Sequence, residues 1–426
     1  VKLLWQRQVY NRLIVPVTRV ATPVVTRAVP KVGRSIAARQ GVLARWQRAA
    51  EAVAGRSPVV WLHAASAGET LQARPLATAI RRARPEAALF FTHFSPSAER
   101  LVQSWDVPDA VDYLPLDYPA QTRELVTLLA PDALVLVGGE TWPNLVWAAS
   151  DAGVMLGQVC CRLVGSARVK WPVRSLTRDL YRRFDAVAAI GTADAQRLTE
   201  LGVEAKKVRV AGDTRADVTL ERVREAAADE VEWQPPEGGG PVIVAGSTWP
   251  ADERVVLAAL ARLRTTHPNA IAIVAPHEPT DKAIARLKSR ARGFGFGTCR
   301  FGRGEGGGDC AVVIVDRVGL LYRLYGVADL AYVGGSFGGA VHNVMEPAAH
   351  GVPITIGANH GHPYEVDVLD RAGGLAVVDS PAELAARWRA WLPEDRAGVA
   401  AKTALEQMAG ATERTLTFLR ESGFPV

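Results

Sequence analysis

The chain is poor in the features that announce a special environment. Only four cysteines occur among 426 residues; Cys160 and Cys161 are adjacent, while Cys299 and Cys310 lie in a Gly-rich region. Neither metal-ligand spacing nor a disulfide framework is evident, so a reducing, cytoplasmic setting is expected. Long apolar runs are also missing. The best candidate, "LIVPVTRVATPVV", is shorter than the ~20 residues a spanning helix needs and is broken by Pro16, Arg19 and Pro23. No small-residue cleavage site follows it, which argues against a secretory signal. No nucleic-acid-binding module is recognisable. "HExxH" and Asp-x-Asp stretches are absent as well, so neither a metal nor another cofactor is expected.

The most informative absence is local. Residues 1–50 contain no Asp or Glu but ten basic side chains: Lys2, Arg7, Arg12, Arg19, Arg27, Lys31, Arg34, Arg39, Arg45 and Arg48. Without these ten, the chain's 50 basic residues fall to 40 against 44 acidic ones, so the remaining 376 positions carry a formal charge of −4. The basic segment also holds Leu3, Leu4, Trp5, Tyr10, Leu13, Ile14, Val15 and Val17. That combination suits an anionic membrane surface, where cations are attracted to headgroups and an apolar face buries in the interface. A solvated basic helix or a nucleic-acid arm is the alternative, although no nucleic-acid partner is expected.

The rest is of ordinary globular composition, 48% apolar and 22% charged, and is long enough for two hydrophobic cores. Apolar runs ended by small residues recur at "PVVWLHAAS", "AALFFTHFS", "ALVLVGGE", "VMLGQVCC" and "AVAAIGT", with helical stretches between them. This is the pattern of a parallel α/β sheet. A polar, Pro- and Gly-rich stretch at residues 222–241 interrupts it, and a second series follows: "PVIVAGST", "AIAIVAPHE", "CAVVIVD", "ADLAYVGGSF", "VPITIG" and "GLAVV". The expected organisation is a membrane-associating segment at 1–50, an α/β domain at 51–221, a linker at 222–241 and a second α/β domain at 242–426. Two Rossmann-like domains would face a central cleft, with functional residues just beyond the strand ends.

Several strand ends carry polar groups. In the first half these are "AASAGET" (Ser66, Gly68, Glu69), "HFSPSAER" (His93, Ser95), "LPLDYP" (Asp117), "GGETWPN" (Glu140, Trp142, Asn144) and "CCRLVGSARVKWP" (Arg162). Glu69 and Glu140, after different strands, could share acid–base or positioning work, or could each cap a helix. In the second half, "VAGSTWPADE" (Gly246, Ser247, Thr248) has the form of a helix start open to an anion. "YVGGSFGGAVHNVMEPAAHGVP" offers Gly334, Gly335, Gly338 and Gly339 for close backbone approach to a ligand, with His342, Asn343 and Glu346 beside them. Glu346 suits a ribose-gripping carboxylate, with structural capping as the alternative. His277, Glu278, Asp316 and Gly319 complete that rim.

Taken in order, these stretches resemble the 3-deoxy-D-manno-octulosonic acid (Kdo) transferases of lipopolysaccharide synthesis. The resemblance is carried by "HAASAGE", "YLPLDYP", "ETWPN", "GDTRAD", "GST" and "GGSFGGAVHNVMEPAAHGVP", spread over about residues 61–360. It implies a GT-B glycosyltransferase with an acceptor-binding N-terminal domain and a donor-binding C-terminal domain. Such an enzyme uses CMP-Kdo, inverts the anomeric centre, needs no metal and acts on a lipid A precursor at the cytoplasmic face of the bacterial inner membrane. By the same resemblance Glu69 is the general base, and Ser66, Gly68, Glu140 and Arg162 serve the acceptor. Ser247, Thr248, His277, Glu278, Gly319, Asn343 and Glu346 serve the donor. The family's "P-R-H" stretch stands here as "APHEP", without Arg before His277, and "N-A-R-L-S" stands as "CCRLVGS". Two other readings compete: another GT-B sugar-nucleotide enzyme, such as a hexosaminyltransferase or UDP-sugar 2-epimerase, and a non-catalytic nucleotide-binding protein of the membrane surface.

Overall fold

The computed structural model describes residues 4–163, 173–226, 239–301, 310–361 and 363–426. They form two compact units, Val1–Asp217 with Gly410–Val426, and Val218–Ala409. This differs from the boundaries expected from sequence. Helix Arg215–Ala226 runs through the start of the supposed linker, and the last 17 residues join the first unit rather than the second. Residues 227–238 of that linker lie outside the described residues.

In the first unit, β1 (Val59–Ala64), β2 (Ala88–His93), β3 (Ala110–Tyr113), β4 (Ala133–Val137), β5 (Met155–Cys161), β6 (Ala186–Ala189) and β7 (Val208–Val210) form one sheet. Its order is β3-β2-β1-β4-β5-β6-β7, and every pairing is parallel. Such a sheet is covered on both faces, which is why β2 and β4 are wholly buried, β4 apolar throughout and β2 apolar as far as Thr92 and His93. In the second unit, β8 (Val242–Thr248), β9 (Ile271–Pro276), β10 (Gly297–Arg300), β11 (Cys310–Ile314), β12 (Leu330–Val333), β13 (Ile354–Gly357) and β14 (Leu375–Val378) follow the order β10-β11-β9-β8-β12-β13-β14, again all parallel. Strand order reverses between β1 and β4 in one sheet and between β8 and β12 in the other. At such switch points the connections leave in opposite directions and open a crevice beyond the strand ends.

The sequence suggested no disulfide, yet Cys299 on β10 and Cys310 on β11 are bonded, with Cα atoms 6.0 Å apart. Eleven residues of spacing carry no such signal; it is the parallel pairing of β10 with β11 that brings the two thiols together.

The basic N-terminal segment is helical, including Val15–Ala28, Pro30–Ala38 and Val42–Ala52. Part of its charge is structural. Arg39 is buried against Phe94 and Tyr113, donating to the carbonyls of Leu114 and Phe94, while Arg45 pairs with Asp112 at 2.5 Å. Leu13, Val17, Val20 and Val24, spaced 4, 3 and 4 residues apart, form one stripe that is 60–78% exposed. Among the described residues no helix is long and apolar enough to cross a membrane.

Candidate active site

At the first switch point β1 runs through Ala65 and Ser66 into helix Ala67–Ala83. Ser66 is the extended residue before that helix, but its hydroxyl does not cap the backbone; it donates to Glu69 Oε2 at 3.0 Å. Backbone N–H groups of Ala65 and Ser66 also favour the Glu69 anion. Burial, and then the charge of Glu140, outweigh these donors and push the Glu69 carboxyl up to about 7. A helix start by itself lowers the basicity of a first-turn carboxylate, and here the balance falls the other way because the side chain is half-buried beside a second carboxylate.

Glu140 reaches the same place from β4. Gly138 adopts φ +95°, and a Cβ there would run into the Glu69 carboxylate, so only glycine lets this turn lie against the acid. Gln158 on β5 fixes the turn by donating to the carbonyls of Gly138 (2.9 Å) and Glu140 (3.3 Å). Burial raises the Glu140 carboxyl as well. Arg162 follows β5, where its carbonyl packs on Gly139. Glu69, Glu140 and Arg162 therefore lie at three neighbouring strand ends. Gly68 faces open space in the first turn of the helix.

Other first-half candidates are structural. Asp117 accepts from the N–H groups of Asn144 and Leu145, both at 3.1 Å, capping helix Pro143–Asp151, and from Tyr10 at 3.0 Å. Ser95 caps the short turn Pro96–Ala98, and His93 is buried against Tyr113. "GDTRAD" is structural too: buried Asp213 is held by Arg215 and Gln72, while Thr214 donates to the Gln72 carbonyl.

At the second switch point Ser247 adopts φ +51°, an uncommon conformation for a residue with a side chain, where β8 bulges away from β9. Ser247 lines a cavity of about 280 Å³ together with His277, Gly319, Asn343 and Glu346. Thr248 and Glu278, expected with them, do not line it. Thr248 is buried, its hydroxyl 3.5 Å from the Ala275 carbonyl, and Glu278 is exposed. Gly334 serves differently from expectation: a Cβ there would collide with the Ser247 backbone, so the close approach is between neighbouring strand ends, whereas Gly338 has open space beside it.

Sequence reasoning missed Arg222, Arg317 and Tyr322 on this cavity. The Arg222 guanidinium lies 3.7 Å from the Tyr322 ring centroid and 3.9 Å from Glu346, whose carboxyl is raised by burial and opposed by Arg222. Asn343 accepts from the Met345 N–H at 3.0 Å, starting the short helix that carries Glu346. Trp249, His277 and His342 stack in a row, with centroids 4.9 and 4.3 Å apart, and the Trp249 indole donates to His342 Nε2 at 3.1 Å. Among the described residues no three His, Cys, Asp or Glu side chains gather to hold a metal. A cavity with two guanidiniums, imidazoles and one half-buried carboxylate can hold a phosphorylated nucleoside. A carboxylate titrating near 7 can act as a general base.

Residues 35–218 match the family model for 3-deoxy-D-manno-octulosonic-acid transferase (kdotransferase). The chain is 32% identical over 411 residues to a 3-deoxy-D-manno-octulosonic acid transferase of Bordetella pertussis, covering 89% of this chain and 91% of that one. It is 29% identical over 315 residues to the Aquifex aeolicus protein of the same name, covering 73% and 78%. Among solved structures, UDP-GlcNAc 2-epimerase from Neisseria meningitidis superposes with a TM-score of 0.61 over 85% of this chain and all of that one, at 14% identity. A glycosyltransferase from Rickettsia africae gives 0.56 over 87% and 100%, at 11% identity. The structural likenesses show the α/β GT-B fold alone, whereas the sequence relatives fix the lineage within it. The chain belongs to the 3-deoxy-D-manno-octulosonic acid transferase family of glycosyltransferases.

Proposed function

We propose that the protein transfers Kdo from CMP-Kdo to a lipid A precursor, with inversion and release of CMP, at the cytoplasmic face of the bacterial inner membrane. The observation that carries this reading is the setting of Glu69: a half-buried carboxylate held by Ser66, pressed against Gly138 and raised to about 7 beside Glu140. As base, Glu69 takes the proton of the acceptor's primary hydroxyl while that oxygen attacks the anomeric carbon and the bond to CMP breaks. Such assistance contributes roughly 10²–10⁴-fold. Glu140, Arg162, Ser66 and the open face at Gly68 position the acceptor. In the second unit Ser247 and Asn343 meet the phosphate, Glu346 holds the ribose and His277 lies by the cytidine, with Gly319 closing the cavity wall. Arg222 and Arg317 supply the positive charge that "APHEP" lacks, while Thr248 and Glu278 take no direct part. The exposed stripe of the N-terminal helix, with its surrounding cations, rests on the anionic lipid surface.

The test supplies purified protein with CMP-Kdo and a tetra-acylated lipid A precursor and follows CMP release and product mass. Glu69→Gln should lower kcat by about 10²–10⁴-fold while keeping CMP affinity and Tm. Near wild-type turnover in that variant would remove Glu69 from the mechanism. Absence of CMP release by the wild type would remove the transferase reading.

A further inference from the structure

The first unit contains a second cavity, of about 500 Å³, which the reaction outlined above leaves unused. One side is made by Val15, Val25, Val32 and Ile36 of the N-terminal helices; the other is made by Phe94, beyond β2, and Trp142, beyond β4. These walls are mostly branched alkyl groups and aromatic rings; Ser35, Ser95 and Asp117 also line the cavity, the Asp117 carboxylate already held by Tyr10 and the N–H groups of Asn144 and Leu145, and the aromatic wall is braced. Phe94 and Trp142 pack with centroids 4.3 Å apart, and the buried Arg39 guanidinium lies 4.1 Å from the Phe94 ring. Cations border the opening: Lys31 lines it, and Arg19 lies 4.5 Å from the Tyr118 ring that also lines it. An apolar interior with a cationic border matches an acyl chain joined to an anionic head.

We infer that this cavity takes one acyl chain of the acceptor. The inference rests on the proposed lipid acceptor and adds a place for part of it. Two further observations favour this occupant over a free apolar metabolite. Val15, Thr18, Thr22 and Val25, which line the cavity, repeat at 3, 4 and 3 residues along helix Val15–Ala28, while Val17, Val20 and Val24 repeat along the adjacent, exposed face. One helix thus joins the stripe assigned to the lipid surface to the cavity wall. The indole N–H of Trp142 is buried and has no hydrogen-bond partner among the described residues, a donor suited to the carbonyl at the head of an acyl chain. Trp142 lies only two residues beyond Glu140 in the turn after β4, so a chain anchored there leaves the sugar head beside the two carboxylates.

Each methylene withdrawn from water strengthens binding by roughly fourfold, so occupancy should show in KM. Ala21→Phe narrows the cavity, and Ile36→Asn makes its wall polar. For both variants the ratio of KM for the tetra-acyl acceptor to KM for the same acceptor stripped of its chains should rise at least tenfold, with unchanged binding to phosphatidylglycerol vesicles. An unchanged ratio in both would overturn the inference, as would a loss of vesicle binding that accompanies the rise, because the wall would then be membrane-contact surface. A readout independent of turnover separates this idea from the transferase reading. A brominated long-chain fatty acid should quench wild-type tryptophan fluorescence, less so in Trp142→Phe and Ala21→Phe. Quenching in a protein that releases no CMP would sink the transferase reading and keep the cavity; equal quenching in all three proteins would sink the cavity.

Discussion

A carboxylate in the first turn of a helix is ordinarily favoured as an anion, because free N–H groups and the positive end of the dipole face it. Glu69 has those donors but is also half-buried and shares its site with Glu140, and the two raising effects prevail. The base form therefore predominates only above about pH 7, and kcat/KM should fall tenfold per pH unit on the acid side of that value. Glu140→Gln removes the like charge, lowers the Glu69 pKa and should move the acid limb to lower pH. A limb that stays in place would mean that Glu140 does not act on Glu69 electrostatically. The linkage has the matching sign. A raised carboxyl binds its proton more tightly in the folded state, so its contribution to stability is present in acid and is lost as pH rises through about 7. At this scale the two acids were legible because each follows an apolar run and a small-residue turn. Arg222 was not, since its partners Tyr322 and Glu346 lie a hundred or more positions away and only folding makes them neighbours.

The elements that sequence revealed and those it concealed differ in their place in the sheets. Central strands such as β1, β2, β4 and β8 are buried on both faces and read as apolar runs. The missed strands, β3, β7 and β10, stand at sheet edges, are short and are only partly buried, so their composition carries no such run. Helix Val15–Ala28 shows the converse: its sequence is apolar, but the structure leaves Val17, Val20 and Val24 at 66–78% exposure. If these side chains enter a lipid interface, Val17→Ser/Val20→Ser forgoes about 3 kcal/mol of burial, roughly a hundredfold in partitioning. Co-sedimentation with anionic vesicles should fall accordingly while Tm stays the same, because neither valine is buried in the protein. Retained vesicle binding would place the membrane contact elsewhere.

Across the whole molecule, the chain leaves the first unit at Asp217 and rejoins it at Gly410, and one side chain fastens both crossings. Asp217 accepts from the N–H of Gly410 (2.6 Å) and from the N–H and hydroxyl of Thr412 (2.7 and 2.6 Å). It thereby caps helix Ala411–Glu421 from 193 positions away in the sequence. That distance is why the C-terminal residues were assigned to the wrong domain: the boundary signals are local, whereas the attachment is a single carboxylate within "GDTRAD". The helix packs on β6 and on helix Ala67–Ala83, which carries Glu69, and beyond it Phe424 packs against Gly157 of β5. Support for the helix that carries Glu69 thus comes partly from residues 411–426. Asp217→Ala should cost about 1–3 kcal/mol, the range for losing a cap and charge-assisted bonds to it. Hydrogen exchange should accelerate across residues 411–421 and, more weakly, across residues 67–83 that they cover. Exchange unchanged in both segments would show that the apolar packing of Leu416, Leu419 and Phe424 holds the helix without the carboxylate.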